Sequence, residues 1–178
     1  PEESRDLILG TSILSILLNP LLVNLADAVR RRLEPTKPKQ EDSEELTPTM
    51  LSDHMIVVGF GRVGRLLVNG LKPQNDALLV IEEAPDAIET LRSQGIEVLG
   101  GNGADSRVLA AANLPGARLL FVAIPEAFEA GQIVQQARRA NPQIKIVARA
   151  HFDAEVEHLQ RMGADIVFMG EREIADAM

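Results

Sequence analysis

Residues 55–64 read MIVVGFGRVG. The apolar run Met55–Gly59 ends in glycine, the pattern of a buried strand. Gly59-Phe60-Gly61-Arg62-Val63-Gly64 is G-x-G-x-x-G, and Val63, Leu66, Leu67 and Leu71 continue at helical spacing over residues 62–71. Strand, glycine turn and helix in that order give the glycines distinct tasks. Gly59 permits the tight turn, Gly61 lets a phosphate reach the backbone, and Gly64 lets the helix lie close to the strand. The helix N-terminus adds unpaired N–H groups and a positive dipole. Arg62 can reach a phosphate from the loop; otherwise it is a solvated side chain.

Outward from this unit the pattern repeats. Ala77–Ile81, Ile96–Leu99, Leu119–Ala123, Ile144–Ala148 and Ile166–Met169 are short apolar runs. Helical patterns separate them at 86–94, 106–112, 125–140 and 154–162, and another starts at Glu171. Pro85 suits a first helical turn, Asp105 and Asp153 suit N-caps, and Gly95 and Gly163 suit left-handed C-terminal stops. Six nearly continuous apolar strands alternating with helices predict an α/β fold of Rossmann type. The expectation is a doubly wound six-stranded parallel sheet, order 3-2-1-4-5-6, covered by helices on both faces.

In such a sheet ligands bind beyond the carboxyl ends of the strands. Glu82 follows the second strand, where a carboxylate accepts hydrogen bonds from ribose hydroxyls and repels a 2′-phosphate. No Arg follows to rescue one, so the reading favours NAD(H) or AMP-type ligands and disfavours NADP. Glu83 is the alternative if the strand ends one residue later; otherwise it is an exposed charge. Asn102 and Gly103, in the Gly101–Asp105 loop after strand three, are placed to flank the adenine, with Asp105 better read as a helix cap. Ala123, Ile124 and Pro125, after strand four, are placed near a second ribose or nicotinamide.

Other chemistries find no support. The chain has no Cys, which excludes disulfides, thiolate metal sites and thiol nucleophiles. His54, His151 and His158 share no metal-ligand spacing. The net charge of −8 and the absence of Trp and Tyr argue against a nucleic-acid binder. No Tyr-x-x-x-Lys site can form, and no acid–base constellation is visible. The expectation is therefore no catalytic residue and no metal.

The first fifty residues differ in kind. Residues 7–26, LILGTSILSILLNPLLVNLA, are uncharged, long enough as a helix for a hydrocarbon core, and kinked by Pro20. Arg30, Arg31 and Arg32 follow, which puts that end in the cytoplasm by the positive-inside rule. Residues 1–33 thus read as the end of a membrane helix with its basic flank, the alternative being a buried or interfacial helix. Residues 34–53, with three Pro and the acidic run 41–45, read as a flexible linker. Residues 54–178 are the nucleotide-binding lobe. The ends of the chain suggest a piece of a longer protein.

VVGFGRVG (57–64), LLVIE (78–82), GNGADSRVL (101–109) and IVARAH (146–151) fall in the order and spacing of the RCK, or KTN, regulatory domain with its TrkA-N lobe. The opening PEES, a span carrying Asn19-Pro20, and then this lobe resemble the end of a Kef-type monovalent cation:proton antiporter. PEAFEAGQIVQQARRANP (125–142) and GEREIADAM (170–178) look closest to its YbaL-like branch of potassium/proton antiporters. Two positions depart from the family: Gly101-Asn102-Gly103 stands for Gly-Asp-Ala, and His151 replaces an Arg of the glutathione-gated members, removing a fixed cation.

The resemblance implies an inner-membrane protein whose cytoplasmic part binds an adenine nucleotide (AMP, ADP, ATP or NAD(H)), forms a homodimer and gates its own transport domain. Within the last helix, Ile174 and Met178 share one face, and the resemblance makes that face a dimer contact. The alternative is the NAD-binding domain of a soluble oxidoreductase whose catalytic part lies elsewhere; a third is a structural lobe with an empty site.

Overall fold

The computed structural model describes residues 46–71 and 77–178, together with Thr11, Ser15, Leu18 and Leu22, which are helical. The chain divides into two compact units, Pro1–Glu45 and Leu46–Met178. Apart from those four residues, the apolar stretch 7–26 and its charged flank lie outside the described residues. Among the described residues no helix is long and apolar enough to cross a membrane.

The second unit alternates strand and helix: β1 His54–Val58, α1 Arg62–Leu71, β2 Leu78–Glu82, α2 Pro85–Ser93, β3 Glu97–Gly100, α3 Ser106–Ala111, β4 Ala117–Val122, α4 Ala127–Ala140, β5 Lys145–Ala150, α5 Asp153–Met162, β6 Ile166–Met169 and α6 Gly170–Ala177. A 3-10 turn, Leu114–Gly116, joins α3 to β4. The six strands form one parallel sheet in the order β3-β2-β1-β4-β5-β6, as expected. The chain reverses direction across the sheet between β1 and β4, so their carboxyl ends open onto a crevice.

Both faces of β1 are buried. Val57 packs with Phe60, Val68, Val80 and Leu91 on the α1–α2 side. Ile56 and Val58 join Val108, Ile133 and Leu159 on the α3–α5 side. The expectation of helices over both faces fails beyond β4. There the burial alternates: Ile146, Ala148 and Ala150 are buried, whereas Lys145 is exposed and Val147 and Arg149 are half-exposed. The cause is topological. The β1-α1-β2-α2-β3 crossovers cover only their half of one face, and α3, α4 and α5 all return over the other.

Local signals mostly act as read. The Asp105 carboxylate accepts the Arg107 N–H at 2.8 Å and caps α3. Gly95 and Gly163 stop α2 and α5 with φ of +73° and +110°. Asp153 is a correction: it is the first residue of α5 and caps nothing, because Phe152 holds the N-cap position. Its carboxylate instead accepts Arg172 at 2.5 Å, joining α5 to α6, and still lies favourably at a helix N-terminus.

Part of the segment read as linker packs on the lobe. Thr49 N–H donates to the Ala111 carbonyl at 2.9 Å, Asp53 N–H to Gly116 at 2.7 Å, and Asn113 Nδ2 to Leu51 at 2.9 Å. His54, fully buried, bonds through Nε2 to the Ala112 carbonyl at 3.0 Å. These bonds fix the entry into β1 on the α3–β4 connection.

At the amino ends of β5 and β6, the Arg138 guanidinium ties α4 to its neighbours. It donates to the carbonyls of Pro142, Ile144 and Gly163 and to Asp165 Oδ2. Burial raises the Asp165 carboxyl, but the Ile146 N–H, Arg138 and Lys145 outweigh it and hold the group below its ordinary 3.8. A carboxyl lowered by folding stabilises the fold above its unfolded pKa and loses that contribution as pH falls through the folded value. In urea titrations Asp165→Asn is therefore expected to be less stable than the parent at pH 7, with the gap narrowing below about pH 4. A gap independent of pH would contradict this role.

Candidate functional site

The glycine loop spans residues 59–64 between β1 and α1. Gly59 has φ +91°, a conformation that side chains resist. A Cβ there would also lie 2.8 Å from Ile124 Cγ2, so the turn presses against the β4–α4 loop. At Gly64 a Cβ would lie 1.9 Å from the Gly59 carbonyl oxygen, which accounts for the absence of a side chain where helix meets turn. Gly61 is different. A Cβ there meets nothing within 4 Å, so open space lies beside its backbone. α1 starts at once, its first bond running from Arg65 N–H to the Gly61 carbonyl at 3.0 Å. The N–H groups ahead of Arg65 belong to the opening turn, which has no earlier carbonyls to bond within the helix.

Glu82 closes the β2 side. Its Oε2 accepts the Phe60 N–H at 2.5 Å, and its Oε1 accepts the N–H groups of Glu83 and Ala84 at 3.0 and 2.9 Å. The second strand thus holds its terminal carboxylate directly against the glycine loop. Glu83 is exposed, and among the described residues its carboxylate makes no hydrogen bond or ion pair. Arg62 is exposed at the start of α1, and Arg65 stacks over the Phe60 ring with Cζ 5.4 Å from its centre. Val63 is half-buried.

The β3–α3 loop crosses the end of β1. A Cβ on Gly103 would lie 2.5 Å from Val58 Cγ1 and 3.3 Å from Ile133 Cδ1, so the loop fits only without one. Asn102 is committed on both sides. Its Oδ1 accepts the Ala104 N–H at 2.6 Å, and its Nδ2 donates to Glu129 Oε1 at 2.8 Å. Ala123 is buried, Ile124 half-buried, and Pro125 exposed ahead of α4. The crevice mouth is therefore framed by the glycine loop, Glu82, the Asn102–Gly103 turn and the β4–α4 loop.

Two residues at this frame are absent from the sequence reading. Glu129 holds Asn102, and Gln136 Nε2 donates to the Ala104 carbonyl at 2.9 Å. They lie seven apart, two turns along one stripe of α4, beside the buried stripe of Ala130, Ile133, Val134 and Ala137. That polar stripe is the signal that points to them. A cavity of about 310 Å³ between α3, α4 and the Leu114–Gly116 turn contains none of the predicted site residues. Among the described residues no cluster of acidic and histidine side chains is arranged to hold a metal ion.

Comparison with known proteins places this geometry. The TrkA-N domain family model matches residues 55–170. The chain is 39% identical over 182 residues to YbaL of Escherichia coli (strain K12), a protein named as a cation/proton antiporter; the match covers 100% of this chain and 33% of that one. It therefore spans about a third of that relative's length. The crystal structure of the TrkA-N domain of the E. coli inner membrane protein YbaL superposes with a TM-score of 0.71 at 42% identity, covering 73% of this chain and 96% of that one. The Kef C-terminal domain of Shewanella denitrificans in its AMP-bound form gives a TM-score of 0.61 at 30% identity, over 68% of this chain and 73% of that one.

Proposed function

The chain belongs to the TrkA-N domain family, and on that premise we propose that residues 54–178 are a nucleotide-binding regulatory lobe that gates a monovalent cation/proton antiporter, with potassium as the cation. The observation that carries the reading is the open space over the Gly61 backbone at the N-terminus of α1, next to Phe60, whose N–H the Glu82 carboxylate accepts. A phosphate sits over that backbone, and a ribose diol donates to Glu82. Arg62 supplies a mobile cation, while Asn102, Gly103, Ala123, Ile124 and Pro125 border the rest of the ligand. The ligand is AMP, ADP or NAD(H); the relative crystallised with AMP supports an adenine nucleotide. Of the relatives reported above, one is named as a cation/proton antiporter and one as a domain of an inner membrane protein, which favours regulation over a soluble oxidoreductase.

In the same reading, residues 1–33 end the transport domain at the inner membrane, and residues 34–178 lie in the cytoplasm with 34–53 as connection. Ligand occupancy biases the transporter only if it favours one arrangement of the lobe over another. The test is potassium/proton exchange by the full-length transporter in proteoliposomes. Adding AMP or NAD is expected to change the rate in the parent and leave Gly61→Val unchanged. An identical response in both would overturn the reading.

The uncovered half of the sheet supports a homodimer. Phe121, Val147 and Ile166 are level with one another across β4, β5 and β6, and Phe168 lies beside Arg149 on the same open face. Ile166, Phe168 and Ile174 are 39%, 49% and 64% exposed, and α6 buries no residue of its own. Exposed apolar residues on one face mark an interface, and the occupant we assign to it is a second copy of the chain. Sedimentation is expected to show a concentration-dependent dimer for the parent, weakened at least tenfold by Ile174→Asp, which would bury an unpaired charge. A monomeric parent or an unaffected dimer would contradict the interface.

A further inference from the structure

The chain enters the lobe along the carboxyl end of α3. Thr49 N–H donates to the Ala111 carbonyl at 2.9 Å, His54 Nε2 to the Ala112 carbonyl at 3.0 Å, and Asn113 Nδ2 to the Leu51 carbonyl at 2.9 Å. Three consecutive residues at the end of the helix are thus bonded to residues 49–54. The last carbonyls of a helix have no partner within it, so Thr49 and His54 satisfy groups that α3 leaves open. Leu46 and Leu51 pack against the core cluster that holds Val108 and Leu109 of the same helix. The other end of α3 is the crevice mouth. Its N-cap, Asp105, follows the Asn102–Gly103 turn directly. That turn is held by α4, through Glu129 on Asn102 and Gln136 on the Ala104 carbonyl. With six residues, α3 is about 9 Å long, a single short rod between the crevice border and the entering chain.

We infer that α3 couples nucleotide occupancy to residues 49–54: a ligand seated in the crevice steadies the Asn102–Gly103 turn, and α3 with it, and tightens the hold of Ala111, Ala112 and Asn113 on the entering chain. This rests on the nucleotide reading of the crevice and names the element that carries its regulation. The two states are the segment bonded to α3, as seen here, and the segment released. A ligand that favours the bonded state is itself bound more tightly by it. Residues 49–54 continue the connection that leads from residues 1–33, so their retention or release reaches the segment read as the end of the transport domain.

The test is amide hydrogen exchange of the 178-residue chain with and without saturating AMP. The Thr49 and Asp53 N–H groups report the bonds to Ala111 and Gly116, whereas the Asp165 N–H, bonded to Ile146 on β5, reports general stabilisation. AMP is expected to slow exchange at Thr49 and Asp53 at least about fivefold more than at Asp165, and to slow none of the three in Gly61→Val. Equal slowing at all three in the parent, or none, would overturn the role of α3 and leave the nucleotide site standing. A folded parent that binds no AMP would overturn the nucleotide reading and this inference with it. Asn113→Gly carries the test to the full-length transporter. Asn113 has φ +50°, which glycine adopts without strain, so the substitution removes the bond to Leu51 and spares the turn. In proteoliposomes the variant is expected to bind AMP but to show an AMP-induced change in exchange rate at least about twofold smaller than the parent's. A response equal to the parent's would contradict the coupling.

Discussion

Gly61→Val is expected to abolish nucleotide binding and leave the lobe folded. The two halves of that statement come from one fact, that a Cβ at Gly61 meets no atom within 4 Å. The protein has room for the side chain, so the core is undisturbed. On the proposed reading that room is where a phosphate approaches the backbone N–H groups of the opening turn. A β-branched side chain there denies that approach, and affinity is expected to fall at least about a hundredfold, some 2.7 kcal/mol. Circular dichroism and the thermal midpoint are expected to stay close to the parent. Gly64→Ala supplies the contrast: its Cβ would lie 1.9 Å from the Gly59 oxygen and 2.9 Å from the Gly59 carbonyl carbon, so it should damage fold and binding together. Binding retained by a folded Gly61→Val would show that the loop is not the phosphate site.

The second large effect concerns the 2′ position of the ribose. In the parent, NAD is expected to bind about tenfold or more tightly than NADP, because Glu82 accepts from hydroxyls and repels a 2′-phosphate. Glu82→Arg should reverse the order by placing a fork of donors where the phosphate falls. The substitution has a cost that the geometry makes plain. Glu82 also accepts the N–H groups of Phe60, Glu83 and Ala84, and arginine accepts none of them. Both affinities should therefore drop from the loosening of the loop, and the ratio between them is the diagnostic quantity. Equal affinities in the parent would refute the assignment of Glu82.

The strand order and the glycine loop were legible because they rest on local chemistry. Apolar runs of strand length, G-x-G-x-x-G between strand and helix, Pro85 opening a helix and Gly95 closing one are each specified within a few residues. The bare half of the sheet was not read, although its signal is present. Met55–Val58 has no alternation and is buried on both faces, whereas Lys145-Ile146-Val147-Ala148-Arg149-Ala150 alternates and is buried on one. Period two in a parallel strand marks a face without a helix. Asp153 was misread for a different reason: a capping residue and a first-turn acid have the same composition, and the helix starting one residue earlier, with Phe152 at the N-cap, decides between them. Glu129 was missed because its bond to Asn102 joins positions twenty-seven apart that only the fold brings together. The polar stripe it forms with Gln136, seven residues on, beside the apolar stripe of α4 is the trace left in the sequence.

The central claim is that the crevice at the carboxyl ends of β1 and β4 takes an adenine nucleotide by its phosphate. The most direct measurement is calorimetric titration of the chain with AMP, ADP and NAD, run beside Gly61→Val as the blocked control. The account predicts saturable binding of AMP and NAD at one site per lobe in the parent, and none in the variant. No binding of any of the three to a folded parent, or equal binding to the parent and to Gly61→Val, would contradict it.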